Sequence, residues 1–267
     1  MAEEKLQREK AFHDHRWEDD SSRQPTDKFY SVMEPARAFY RRRVLALCRG
    51  KRVLEYGCGT GGCKTGSNSL LFAQAAASVT GIDLSEEAIH TARGNAARNG
   101  IAADYRVMNA EALQLPAAAF DVAIGTGILH HLDLPRAYAE LARALSDDGH
   151  AVFIEPLGHN PLINLYRKRT PTMRTADEHP LLMRDLRLAR RHFRRVEARF
   201  FNLLTPAAVP LRNTRLFGIA DRLLSAMDRA LFFALPFLRR YAWAVVLDLS
   251  EPRRASAPHG KETRCPL

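Results

Sequence analysis

The chain has 267 residues, 46% of them hydrophobic, enough for one large core or for a domain with an elaboration. No run of about 18 apolar residues occurs, so no spanning helix is expected, and the charged start "MAEEKLQREKAFHDH" lacks the apolar region of a secretory signal. The formal net charge of +10 is unevenly placed: residues 51–159 carry 8 basic and 12 acidic groups, whereas residues 160–240 carry 17 and 6.

Taken in chain order, five apolar runs read as strands, at residues 52–56, 78–83, 103–108, 120–125 and 150–155. Helical patterns fall between them. Residues 68–77 are rich in alanine and leucine. Residues 85–98 open on Ser85 as N-cap with Glu86 and Glu87 in the first turn, where the helix dipole favours acids, and close on Asn99-Gly100. Residues 134–145 form the next helix, with Asp148-Gly149 as a turn. Strands alternating with helices predict a parallel sheet covered on both faces, and right-handed crossovers make it doubly wound.

Past Pro156 the pattern loosens. Residues 182–192 read as a helix, and residues 195–201 and 242–249 as two more strands. The fold class expected is therefore α/β: a doubly wound, mostly parallel seven-stranded sheet with helices on both faces and a helical insert, residues 205–240, before the last strand. In that insert Leu216, Ile219, Leu223, Met227, Leu231, Leu235 and Leu238 recur at three- and four-residue steps. Three readings are open for this stripe: packing on the protein, a lid over an apolar substrate, or peripheral membrane contact through residues 216–240 with arginines alongside. The basic excess likewise reads either as a surface for an anionic partner or as plain solvation by arginine, since only 7 of the 40 basic residues are lysine. Residues 251–267 lack periodicity and read as a tail. Cys48, Cys58, Cys63 and Cys265 show no paired C-x-x-C spacing, so a reduced, cytoplasmic protein without a metal site is expected.

The glycine-rich stretch "EYGCGTGGCKTGS" follows the first strand, where backbone can approach a ligand closely and open a helix toward anionic groups. It matches three fingerprints at once. The P-loop match fails because Cys63 separates the last glycine from Lys64. Asp83, ending the second strand, is placed to accept hydrogen bonds from a ribose diol.

Several segments together resemble the class I, Rossmann-like S-adenosylmethionine-dependent methyltransferases: "VLEYGCGTG", "VTGIDLSEEAIHTAR", "NAEALQLPAAAFDVAIGTGILHHL" and "ALSDDGHAVFIEP". The later "RTPTMRTADEHPL" and "RRYAWAVVLDLS" are similar to segments of a small-molecule branch. The resemblance implies S-adenosyl-L-methionine as cofactor, with Gly57, Gly59 and Gly61 near its methionine part and Glu55 accepting from its ammonium. Asp83 would hold the ribose, and Leu84, Asn109, Ala110 and Glu111 would surround the adenine. Asn109 stands where the family usually has aspartate. Gly125, Thr126 and Gly127 would line the cofactor at the end of the fourth strand. Residues 1–45, with Phe29 and Tyr30 as aromatic anchors, would form an N-terminal cap, residues 46–156 the cofactor-binding core, and residues 157–250 the acceptor side.

His130 and His131 are candidates for a general base, histidine's ordinary pKa of about 6.5 suiting proton removal from a hydroxyl or acidic carbon. A vicinal pair is expected to point in different directions, so that one of the two serves. Glu155 and His179 are further candidates. The reaction expected is methyl transfer to oxygen or activated carbon of a small or lipid-like acceptor. An RNA or polyanion methyltransferase and an S-adenosylmethionine-binding protein without methyl transfer, a regulator or a cyclase, are the alternatives. Nucleic acid is disfavoured by the lack of an N/D-P-P-Y/F motif or an RNA-binding module. Residues 57 and 83 are 26 apart where this family has nearer twenty, so residues 62–66 read as an insertion bulging away from the cofactor.

Overall fold

The computed structural model describes residues 4, 7, 8, 10, 31–61, 69–170 and 179–254. The expected bulge at residues 62–66 and the anchors Phe29 and Tyr30 lie outside the described residues, as do residues 171–178. The elements are α1 (Glu34–Cys48), β1 (Arg52–Tyr56), α2 (Ser69–Ala73), β2 (Ser78–Asp83), α3 (Glu86–Arg98), β3 (Asp104–Val107), β4 (Phe120–Thr126), α4 (Leu134–Ala144), β5 (Leu145–Pro156), α5 (Pro161–Arg169), α6 (Met183–Leu188), β6 (Phe193–Phe201), α7 (Phe217–Ala234) and β7 (Ala244–Pro252).

The seven strands form one sheet in the order β3-β2-β1-β4-β5-β7-β6. The first five are parallel, and β7 runs antiparallel to both β5 and β6. Side chains alternate across this sheet, and both faces of its central strands are buried. Leu54, Ala123, Phe153 and Leu247 pack with Tyr138 and Leu141 of α4 on one face. Val53, Val122, Ile124, Val152 and Val246 pack with Ala36, Tyr40 and Val44 of α1 on the other. A strand stretch buried on both faces must be apolar, and that is why β1, β4 and β5 carry the apolar stretches 53–54, 122–124 and 151–154.

Local caps agree with the residues present. Ser85 Oγ accepts from Ala88 N at 3.1 Å, and Gly100 takes the positive φ of +63° that ends α3.

Four expectations need correction. The predicted turn at Asp148-Gly149 is absorbed into β5, where Leu145 faces Phe120 but His150 already faces Val122, leaving a bulge between. The helix predicted over residues 68–77 is described only as the short α2. The boundary drawn at residue 45 falls inside α1, which covers the sheet. The tail drawn from residue 251 is fixed through Arg254, whose guanidinium donates to the Leu145 carbonyl at 2.7 Å and to Asp147 at 2.8 Å.

Gly125 shows how tightly the layers meet. A Cβ there would lie 2.5 Å from Phe153 Cε1 and 2.8 Å from Ile128 Cγ2. Gly125→Ala therefore overpacks the end of β4, and thermal unfolding should show a melting temperature lower by roughly 3–10 °C; an unchanged melting temperature would refute this packing.

Candidate active site

Parallel strands end together. Tyr56 pairs with Ile82 on one side and Gly125 on the other, and Thr126 pairs with Ile154. The residues that follow these strand ends therefore share one edge, where open α/β sheets bind ligands. Glu55, Gly57, Gly59, Asp83, Leu84, Gly125, Thr126 and Glu155 all belong to it.

The turn after β1 is built on glycine for a steric reason. Gly57, Gly59 and Gly61 have φ of +62°, +50° and +69°, in the left-handed region that side chains disfavour. The turn is held to β2 by two bonds: Cys58 N donates to Ile82 O at 3.0 Å, and Gly59 N donates to Asp83 Oδ2 at 2.8 Å. The other carboxylate oxygen of Asp83 accepts from Ser85 N at 3.0 Å. Asp83 thus ties together the loop after β1 and the start of α3, and each oxygen retains acceptor capacity. Gly61 also has a packing role. Its Cβ position faces the Tyr105 hydroxyl at 3.0 Å and Ala92 at 3.3 Å, so this glycine serves the packing of α3.

On the α1 face, Tyr40 lies near Glu55 and Thr126 at the ends of β1 and β4. Burial first, and the Glu55 carboxylate second, push the Tyr40 phenol well above its usual range. Tyr40 is therefore a neutral hydroxyl at all ordinary pH. Neither its oxygen nor Thr126 Oγ1 completes an aligned hydrogen bond, although both atoms are buried.

On the opposite face Glu155, at the end of β5, is fully buried and accepts three hydrogen bonds. Its Oε1 takes Ile128 N and Leu129 N, each at 2.9 Å, and its Oε2 lies 2.7 Å from His130 Nδ1. A carboxylate so engaged orients the imidazole. With Nδ1–H donating to Glu155, the Nε2 lone pair is left to accept a proton. His130 keeps 10% of its side chain exposed while Glu155 has none, so the histidine is the one a substrate can reach.

The two histidines do not diverge as expected. In a 3-10 turn over Leu129–His131 their rings lie 4.2 Å apart with 38° between planes, so they stack side by side. The third candidate, His179, is joined to the same turn through its backbone, His179 N donating to His130 O at 3.1 Å. Asn109 and Glu111 also hold local structure together. Asn109 Oδ1 accepts from Glu111 N at 2.9 Å, and Glu111 Oε1 accepts from Asp133 N at 2.8 Å. Both acceptors brace the loop after β3 and the N-terminus of α4, while Ala110 is buried between them.

A model of a family described as "Methyltransferase domain" matches residues 54–153, the stretch from β1 to β5 that carries this edge. Over residues 54–153 the chain is thus similar to the S-adenosylmethionine-dependent methyltransferases.

Among curated proteins, this chain is similar to a ubiquinone biosynthesis O-methyltransferase of Bordetella avium (strain 197N), 31% identical over 146 residues, covering 54% of this chain and 57% of that protein. A protein of the same name from Pseudomonas aeruginosa (strain LESB58) is 35% identical over 119 residues, covering 44% of this chain and 49% of its own length. The chain thus spans about half the length of the curated relatives it matches. Among solved structures, geranyl diphosphate C-methyltransferase from Streptomyces coelicolor A3(2) superposes with a TM-score of 0.57 at 15% identity, covering 82% of this chain and 80% of that one, a likeness of fold.

The residues of this edge suit S-adenosylmethionine, the cofactor that the similarity implies. The glycine turn brings bare backbone to the edge, Asp83 has acceptor capacity for a diol, and the two buried hydroxyls of Tyr40 and Thr126 lie beside Glu55, a polar patch suited to a zwitterionic amino-acid end. Sequence reasoning missed Tyr40, which sits in α1 without any motif around it. It also missed that Glu155 positions His130. The signal was there in part, since a glutamate ending an apolar strand is costly to bury without partners.

Proposed function

We propose that this chain transfers a methyl group from S-adenosylmethionine to an oxygen or activated carbon of a small, apolar or amphiphilic acceptor. The observation that carries the reading is the buried Glu155–His130 pair at the edge where the glycine turn and Asp83 also lie. When bound, the cofactor supplies a sulfonium methyl that a nucleophile displaces, with the electron pair returning to sulfur. The chain's own residues do the rest. Gly57 and Gly59 offer backbone to the methionine part, Glu55 accepts from its ammonium, and Asp83 holds the ribose. His130 Nε2 takes the acceptor's proton, and Glu155 stabilises the imidazolium that results. Alignment of nucleophile, methyl and sulfur supplies much of the rate, so little covalent help from the protein is needed.

The name O-methyltransferase carried by the curated relatives supports an oxygen acceptor. The apolar insert of residues 205–240, which leaves and re-enters the sheet at this same edge, supports an apolar or amphiphilic one and a peripheral contact of residues 216–240 with lipid. The +11 balance of residues 160–240, 17 basic against 6 acidic, favours a polyanion as second reading. Labelled S-adenosylmethionine and a cell extract discriminate. Label should enter small-molecule or lipid fractions. Label in RNA would replace the first reading with the second, and cofactor binding without any label would point to a protein that does not transfer methyl.

A further inference from the structure

The apolar stripe of α7 faces solvent. Ile219 is 67% exposed, Leu223 60%, Met227 43% and Phe233 86%, with Leu216 and Phe237 extending the row beyond the helix ends. The face that packs on the protein is a different one. Phe217, Ala220 and Leu224 pack with Val32, Ala208 and Val209, and Phe232 packs against Phe200. The helix cannot roll to bury the stripe, because Asp228 is locked inward. Its carboxylate accepts from Leu203 N at 2.9 Å, Leu204 N at 2.8 Å and Thr205 Oγ1 at 2.6 Å.

Charge says what fits this face. Between residues 201 and 243 the cations are Arg212, Arg215, Arg222, Arg229, Arg239 and Arg240, all exposed, and the acids are Asp221 and Asp228 alone. Asp228 is buried, and Asp221 is partly buried, its carboxyl raised above the usual range by burial and then by Asp228. The exposed face is therefore apolar with a purely cationic margin. Arg222 and Arg229, seven residues apart, line one flank of the apolar row. A second copy of this chain docking here in two-fold fashion would bring arginine against arginine with no acid to pair. A polyanion such as RNA would leave the apolar row without a partner. A bilayer with anionic headgroups satisfies both parts, with apolar side chains at the headgroup–acyl boundary and arginines among the phosphates. No helix among the described residues is long and apolar enough to cross a membrane, so the contact lies on the surface.

We propose that α7 docks this protein on an anionic lipid surface through Ile219, Leu223, Met227 and Phe233, flanked by Arg222 and Arg229. The insert begins after Phe201 and ends before Ala244, which pairs with Pro156 at the end of β5. Docking therefore brings the edge that holds Glu155 and His130 to the membrane. Asn160 Nδ2, donating to Tyr241 O at 2.9 Å, joins α5 to the same corner, where Leu162 and Leu165 are also exposed. This deepens the amphiphilic-acceptor reading by naming where such an acceptor is met. Binding to vesicles is measured without methyl transfer, so either idea can fail alone.

The test is co-sedimentation with phosphatidylcholine vesicles with and without phosphatidylglycerol. Binding should require phosphatidylglycerol and weaken in high salt. Leu223→Ser with Phe233→Ser should weaken it at least about tenfold, and Arg222→Gln with Arg229→Gln roughly 30-fold. Both double variants should keep wild-type affinity for S-adenosylhomocysteine by calorimetry, which shows that they fold. Absence of wild-type binding, equal binding to neutral vesicles, or undiminished binding by either variant would overturn the proposal. So would a lipid-free dimer that Phe233→Ser dissociates, which would assign the face to a second copy.

Discussion

Glu155→Gln should lower methyl transfer by about 10²–10⁴-fold while changing affinity for S-adenosylhomocysteine by less than about twofold. The amide keeps an oxygen to accept from Ile128 N and Leu129 N, so the turn that carries His130 persists. Its nitrogen, however, donates where the carboxylate accepted. It meets Nδ1 of His130, forcing the proton to Nε2 and removing the lone pair that takes the acceptor's proton. Transfer is read as label moved from S-adenosylmethionine into a cell extract. The tautomer is read independently in ¹⁵N spectra of the histidines, with the ring proton on Nδ1 in the native protein and on Nε2 in the variant. His130→Gln should match the loss in rate. Full activity of either variant, or an unmoved tautomer in Glu155→Gln, would remove the pair from the mechanism. Glu155→Ala is a poorer test, since it strands two buried amides and costs stability as well.

Asp83→Ala should weaken binding of S-adenosylhomocysteine by roughly 100-fold in calorimetry. Two losses combine. A charged acceptor for the ribose goes, about 1.5–3 kcal/mol per charge-assisted bond, and so do the bonds that fix Gly59 N and Ser85 N. Asp83→Asn separates these losses. Its single amide oxygen can hold one of the two backbone donors, so an intermediate affinity is expected. Affinity unchanged in Asp83→Ala would refute the ribose role outright. Strong destabilisation with little loss of affinity in Asp83→Asn would make the residue a loop anchor only.

Much of the architecture was legible because it is local. The centres of β1, β4 and β5 are apolar on consecutive positions, as strand stretches buried on two faces have to be, and Ser85, Asn99 and Gly100 punctuate α3 as caps. The glycine turn was legible for the same kind of reason: only glycine takes three left-handed φ values within five residues at little cost. What was not legible was whatever depended on a neighbour distant in sequence. Gly61 reads like its two companions, yet it meets Tyr105, 44 positions on. Asn109 and Glu111 read as ligands for an adenine, and the fold adds that each accepts from a backbone amide and so braces its loop. Glu155 and His131 read as bases equal to His130. The bond from Glu155 to Nδ1 separates them, and that bond forms only because β5 lies beside β4 with its end at the same edge.

The insert makes the division plain. Its sequence determined a helix and an apolar stripe, since the three- and four-residue spacing is a property of the chain alone. It did not determine which side of the helix is inward, because Phe217, Leu224 and Phe232 are as apolar as Ile219, Leu223 and Phe233. A carboxylate decided that. Asp228 finds three donors at the end of β6 and cannot be turned to solvent without leaving Leu203 N and Leu204 N unpaired, so the helix is held with its second apolar face outward. Residue types and periodicity thus determined the elements and the cofactor's edge, while contacts between strands and helices far apart in sequence decided which polar groups act and which apolar surface stays exposed.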